Sequence, residues 1–125
     1  NVYGPREPTK GEYAPVIGLF KRQNSAGLPM TIVGDGSQKR DFTYIEDVVD
    51  ANICAMRADI SYGIYNIGTG KNYTILEIAK MIGNNTVNIS SRPAEVHETL
   101  ADITRSTSDL GWLPNHDLVD KINKY

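Results

Sequence analysis

The stretch Gly63-Ile64-Tyr65-Asn66-Ile67-Gly68-Thr69-Gly70-Lys71-Asn72-Tyr73-Thr74-Ile75-Leu76-Glu77-Ile78-Ala79-Lys80-Met81-Ile82-Gly83 sets the fold class. Residues 63–67 read as a β-type run, and Gly68-Thr69-Gly70 ends it as a turn. Thr74 and Glu77 then form a Thr-x-x-Glu capping box, in which each side chain satisfies a backbone N–H of the other residue. Ile75, Ile78, Ala79 and Ile82 recur at helical spacing on one side, and Gly83 stops the helix.

The same alternation extends outward. Residues 1–13, rich in glycine, proline and charge, read as a loop. A helix fits residues 15–26: proline suits a first turn, Val16, Ile17 and Phe20 share a face, and Gly27 is its stop. Residues 30–33 are a strand closed by Gly34-Asp35-Gly36. Residues 37–41 are polar loop, and residues 42–45 a brief strand. Residues 46–56 read as a helix with Val48, Val49, Ile53 and Met56 toward the core. Its Glu46, Asp47 and Asp50 sit where the helix dipole favours negative charge. Residues 87–90 are a third short strand. Asp102 caps a short helix to Leu110, and Asp117 caps one running to the end. Short strands with flanking helices predict an α/β fold.

The chain has 125 residues, enough for one domain, with 40 % apolar and 22 % charged residues. Those shares exclude a disordered or collagen-like chain. Thirteen basic and fifteen acidic residues give a net charge of -2 without single-sign runs, which argues against nucleic-acid binding. No segment reaches the roughly 18 apolar residues of a spanning helix, so no membrane partner is expected. The single cysteine, Cys54, reads as a small core residue, and its isolation suggests a reducing, cytoplasmic setting. The chain starts at Asn1 rather than Met, which suggests a piece of something longer.

Much catalytic equipment is absent. Gly-x-Gly-x-x-Gly fails after Gly34 and Gly36, where Lys39 stands, and after Gly68 and Gly70, where Tyr73 stands. None of the seven tyrosines has a lysine four residues later. One cysteine and two histidines, His97 and His116, offer no metal spacing. No catalytic residue is assigned.

Two arginines are candidate anion ligands. Arg40 lies beside Asp41 before an apolar strand, and Arg92 precedes Pro93 with Glu95 close behind. An arginine held between ordered elements grips phosphate with two parallel hydrogen bonds. By default, each is a solvated residue or half of a weak ion pair. Glu95 is by default an exposed acid and otherwise a sugar-hydroxyl acceptor. Asn1 would be frayed. Gly68-Thr69-Gly70 reads as a turn rather than a phosphate cradle, Trp112 as packing, and Tyr62, Tyr65 and Tyr73 as packing.

Five phrases together resemble a known family: Asn1-Val2-Tyr3-Gly4-Pro5-Arg6; Pro29-Met30-Thr31-Ile32-Val33-Gly34-Asp35-Gly36-Ser37-Gln38-Lys39-Arg40-Asp41-Phe42; Asp47-Val48-Val49-Asp50-Ala51; Tyr65-Asn66-Ile67-Gly68-Thr69-Gly70; and Leu110-Gly111-Trp112-Leu113-Pro114. Their order and spacing are similar to the C-terminal part of NAD-dependent nucleotide-sugar epimerases and dehydratases, the extended short-chain dehydrogenases, with the UDP-glucose 4-epimerase group nearest. The resemblance spans essentially the whole chain.

The resemblance implies a single substrate-binding portion over residues 1–125, with the N-terminal Rossmann domain, its NAD-binding glycine loop and its Tyr-x-x-x-Lys pair missing. NAD would belong to the intact parent, a 4-epimerase-like enzyme working by transient hydride transfer, and this chain alone would be inactive. The family's diphosphate-binding arginine falls on Arg40, its second arginine on Arg92 and its ribose-holding acid on Glu95. Asn1 matches a diphosphate contact. Val16 matches a position whose backbone meets the substrate. Val33 matches a base-contacting position, often aromatic in UDP-galactose epimerases. Val2 would lie near the nicotinamide. A UDP-sugar is the implied ligand. A dehydratase fragment and a stand-alone binding or assembly module remain alternatives. The missing half would leave apolar surface bare, so self-association or a homodimer is expected.

Overall fold

Ile17 and Phe20 are wholly buried, three residues apart on one helix, and the core gathers around them. In the computed structural model, residues 1–125 are described except Glu12, Tyr13, Arg92 and Ala94. The elements in order are β1 (Val2–Tyr3), α1 (Val16–Ser25), β2 (Met30–Val33), β3 (Lys39–Asp41), β4 (Thr43–Tyr44), α2 (Ile45–Arg57), β5 (Asn72–Thr74), α3 (Ile75–Ile82), β6 (Thr86–Ile89), α4 (Thr104–Leu110) and α5 (Leu118–Lys121). The architecture is mixed α/β.

The strands form three two-stranded sheets among the described residues. β1 runs parallel to β4, with Val2 opposite Thr43 and Tyr3 opposite Tyr44. β2 runs parallel to β6, from Met30 opposite Thr86 to Val33 opposite Ile89. β3 runs antiparallel to β5, with Arg40 opposite Tyr73. On its other side, β3 meets the segment 97–99: the Lys39 N–H donates to the His97 carbonyl at 2.8 Å, and the Thr99 N–H to the Lys39 carbonyl at 3.1 Å.

The core joins Tyr3, α1, Met30 and Ile32 of β2, Phe42, Tyr44, the inner face of α3, and Leu118 and Ile122. Alternation along β2, with residues 30 and 32 buried and 31 and 33 half-buried, is that of a strand with one face in the core. α3 has its expected capping box, and Ile75, Ile78 and Ala79 are buried. Gly36 adopts φ +76°, and a side chain there would collide with Ile32 and Leu76. The turn thus packs directly between β2 and α3.

Several expectations are corrected. Val2–Tyr3 is a strand rather than loop, because Thr43–Tyr44 offers it a parallel partner. The polar stretch 37–41 contains β3, paired on both sides despite its charge. Residues 63–67 are not a strand; no described segment pairs with them. In α2 the expected core face is outward: Val49 is 50 % exposed, Ile53 37 % and Met56 86 %, whereas Asp47 and Ala51 are buried. The cause is polar. The Asp47 carboxylate accepts from the Asn115 N–H at 2.9 Å and the His116 N–H at 3.3 Å, and His116 Nδ1 lies 2.7 Å from it. The Trp112 indole N–H donates to the Asp47 carbonyl at 3.1 Å, which fits its reading as packing. α5 stops at Lys121. Cys54 is half-buried rather than core, and Tyr62 is 81 % exposed rather than packed.

Candidate functional site

A cavity of about 420 Å³ opens where β1, the start of α1, the end of β2 and β3 converge. Asn1, Val2, Val16, Val33, Arg40 and Glu95 all line it. These are the sequence-chosen binding positions that fall among the described residues. Arg92, the second arginine, lies outside them. Thr31, Leu19, Ile75 and Gln38 complete much of the wall. A second cavity of about 240 Å³ shares Val33, Gln38 and Glu95 with the first and extends past Gly34, Asp35 and His97.

Arg40 is positioned by strand pairing, not by a loop. Its Nη1–H donates to the Lys39 carbonyl at 2.8 Å and, at 3.5 Å, to that of His97. Its Nη2 lies 3.4 Å from Glu95 Oε1. Asn1 is tied down rather than frayed: its side-chain N–H donates to the Asp41 carbonyl at 3.1 Å, and its own carbonyl accepts from the Thr43 N–H at 3.0 Å. Val33 is braced by Gln38, whose amide donates to the Val33 carbonyl at 3.0 Å. Asp35 accepts from the Ser37 N–H and hydroxyl at 2.9 and 2.7 Å, which holds its carboxyl below the usual range and fixes the adjoining turn.

Sequence reasoning missed Gln38 and Asp41. Asp41 is 6 % exposed, and one carboxylate oxygen accepts from the Thr69 N–H and hydroxyl at 2.9 and 2.7 Å. The other accepts from the Gly70 N–H at 3.0 Å and the Ala101 N–H at 3.2 Å. A side chain at Gly68 would collide with Ala101. Gly68-Thr69-Gly70 therefore cradles an anion, but the anion is the protein's own. The available signal was an acid beside Arg40 and a Gly-x-Gly turn without a fingerprint. With those amides occupied by Asp41, the turn does not fit a dinucleotide's pyrophosphate. Among the described residues, no cluster of histidine, cysteine or carboxylate is placed to hold a metal.

An open cavity with a cation, a carboxylate, an amide and apolar walls has the make-up common to small-molecule pockets. Residues 1–68 match the model of the NAD dependent epimerase/dehydratase family, and the chain belongs to that family. It is 35 % identical to the UDP-glucose 4-epimerase of Mycolicibacterium smegmatis, over 99 % of this chain and 41 % of that protein. It is 30 % identical to the dTDP-L-rhamnose 4-epimerase of Burkholderia thailandensis, over 94 % of this chain and 34 % of that one. Among solved structures, the UDP-glucose 4-epimerase of Thermotoga maritima with UDP-glucose superposes with a TM-score of 0.91 at 34 % identity, covering 98 % of this chain and 41 % of that one. A Bacillus cereus UDP-glucuronic acid 4-epimerase variant, solved with a fluorinated UDP-sugar and NAD, gives 0.87 at 30 % identity over 97 % of this chain and 40 % of that one. The chain thus spans well under half the length of these relatives. No helix among the described residues is long and apolar enough to cross a membrane.

Proposed function

We propose that residues 1–125 form the nucleotide-sugar-binding portion of a 4-epimerase-like enzyme, with a UDP-sugar as ligand. The observation that carries this reading is the single cavity shared by Asn1, Val2, Val16, Val33, Arg40 and Glu95. In it Arg40 meets the diphosphate and Asn1 assists, while Arg92, outside the described residues, is the second diphosphate arginine that the resemblance implies. Glu95 accepts from a ribose hydroxyl, Val33 meets the base, and the Val16 backbone meets the substrate. Val2 faces the nicotinamide of an NAD held by the rest of the parent. That cofactor supplies the hydride chemistry; this portion contributes recognition, so that binding energy from the remote nucleotide positions the reacting carbon. Alone it is catalytically inactive. Its placement as the C-terminal part of the parent rests on the order and spacing of the five phrases that resemble that part of the family. The lone cysteine supports a cytoplasmic setting, and the exposed face of α2 supports self-association.

Titration of the chain with UDP, followed by calorimetry, tests the reading. Binding in the range of about 1 mM or tighter is the expected result. Arg40→Ala removes a charge-assisted contact worth about 2–5 kcal/mol and abolishes measurable heat. Absence of heat with the unaltered chain, or undiminished heat with Arg40→Ala, overturns it.

A further inference from the structure

The cation and the acid of the cavity already face one another. Arg40 Nη2 and Glu95 Oε1 are 3.4 Å apart, with side-chain exposures of 15 % and 29 %. The contact is long and single, so it is a weak pair and open to exchange. The other edge of the guanidinium behaves differently: Nη1–H donates to the Lys39 carbonyl at 2.8 Å, which anchors the group to its own strand. A competing anion can therefore take the Nη2 edge without moving the anchored edge.

The consequence falls on Glu95. An anion that displaces it leaves a carboxylate, 29 % exposed, without that partner and beside the incoming negative charge. A ligand that carries hydroxyl donors next to its phosphates restores that carboxylate's hydrogen bonds. A bare phosphate or pyrophosphate has no such groups.

We propose that Glu95 is a specificity-determining counter-ion. It occupies Arg40 when the cavity is empty and yields more readily to ligands bearing both an anion and a neighbouring hydroxyl, so that bare phosphates are disfavoured. The proposal rests on the reading above, in which Arg40 meets a diphosphate and Glu95 a ribose hydroxyl. It adds that the two contacts form by exchange from a mutual pair.

Calorimetric titration of the unaltered chain and of Glu95→Gln with UDP and with inorganic pyrophosphate tests it. The amide keeps the shape and removes the charge, and thermal unfolding of both proteins confirms that the variant is folded. Glu95→Gln is expected to bind pyrophosphate about fivefold tighter, the effect of removing a partly exposed ion pair. It is expected to bind UDP about tenfold more weakly, through loss of a charge-assisted hydrogen bond. An unchanged pyrophosphate affinity with weakened UDP binding means that Glu95 reads the ribose without competing for Arg40, and overturns the exchange alone. Unchanged affinity for both ligands removes Glu95 from the site and overturns the exchange too. Failure of the unaltered chain to bind UDP overturns the functional reading itself, and the exchange with it.

Discussion

Asp41 holds the site together from behind. Its carboxylate accepts four hydrogen bonds, from Thr69, Gly70 and Ala101, while its carbonyl anchors Asn1. One buried side chain thereby fixes the strand that carries Arg40, the turn after residue 67 and the first residue of the cavity wall. Asp41→Asn replaces one acceptor oxygen with a donor that faces other donors. It should cost about 3 kcal/mol of stability, in the range for disrupting hydrogen bonds to a buried charge, read as a lower denaturant midpoint at unchanged slope. At this scale, spacing alone left Arg40 and Glu95 as solvated residues by default; the family resemblance singled them out, and the structure puts both on one cavity. Asp41 and Gln38 were not legible, since their importance lies in partners distant in sequence: Asp41 binds residues 28 to 60 positions away.

Among the elements, those with local signals were readable and those made by partners were not. The α3 cap is local: the Thr74 hydroxyl accepts from the Glu77 N–H at 3.1 Å, and the Glu77 carboxylate accepts from the Thr74 N–H at 2.7 Å. Thr74→Ala should cost about 1 kcal/mol, measurable as a drop in thermal midpoint. The Thr74 hydrogen bonds hold the Glu77 carboxyl below its ordinary value. A depressed carboxyl stabilises above its unfolded-state pKa and loses that contribution as pH falls through its folded value. The gap between variant and parent should therefore narrow on acidification. By contrast, α2 has an apolar stripe that points outward because Asp47 is buried by Trp112, Asn115 and His116. Periodicity reports an apolar face but not which surface receives it. β1 and β3 are strands through their neighbours, and residues 63–67 have strand composition without a strand partner among the described residues.

For the whole molecule, the bare stripe of α2 is continuous in sequence with exposed Ile60, Tyr62 and Ile64. Apolar surface of that kind favours association. Sedimentation at rising concentration should show species heavier than 13.8 kDa, and the double substitution Val49→Lys with Met56→Lys should return the 13.8 kDa monomer. A parent chain that stays monomeric counts against association. The three two-stranded sheets among the described residues carry a further consequence for synthesis. The β1–β4 pair closes once residue 44 has emerged, the β3–β5 pair only at residue 74, and the β2–β6 pair at residue 89. Leu118 and Ile122 complete the core later still. Each strand of the first forty residues thus waits for a partner made long after it, and the loop-closure entropy of those pairings must be met before any reward. On a translating ribosome, the cavity wall built from Val33 and Arg40 takes shape among the later events, and the nascent chain carries β2 unpaired through more than fifty residues of elongation.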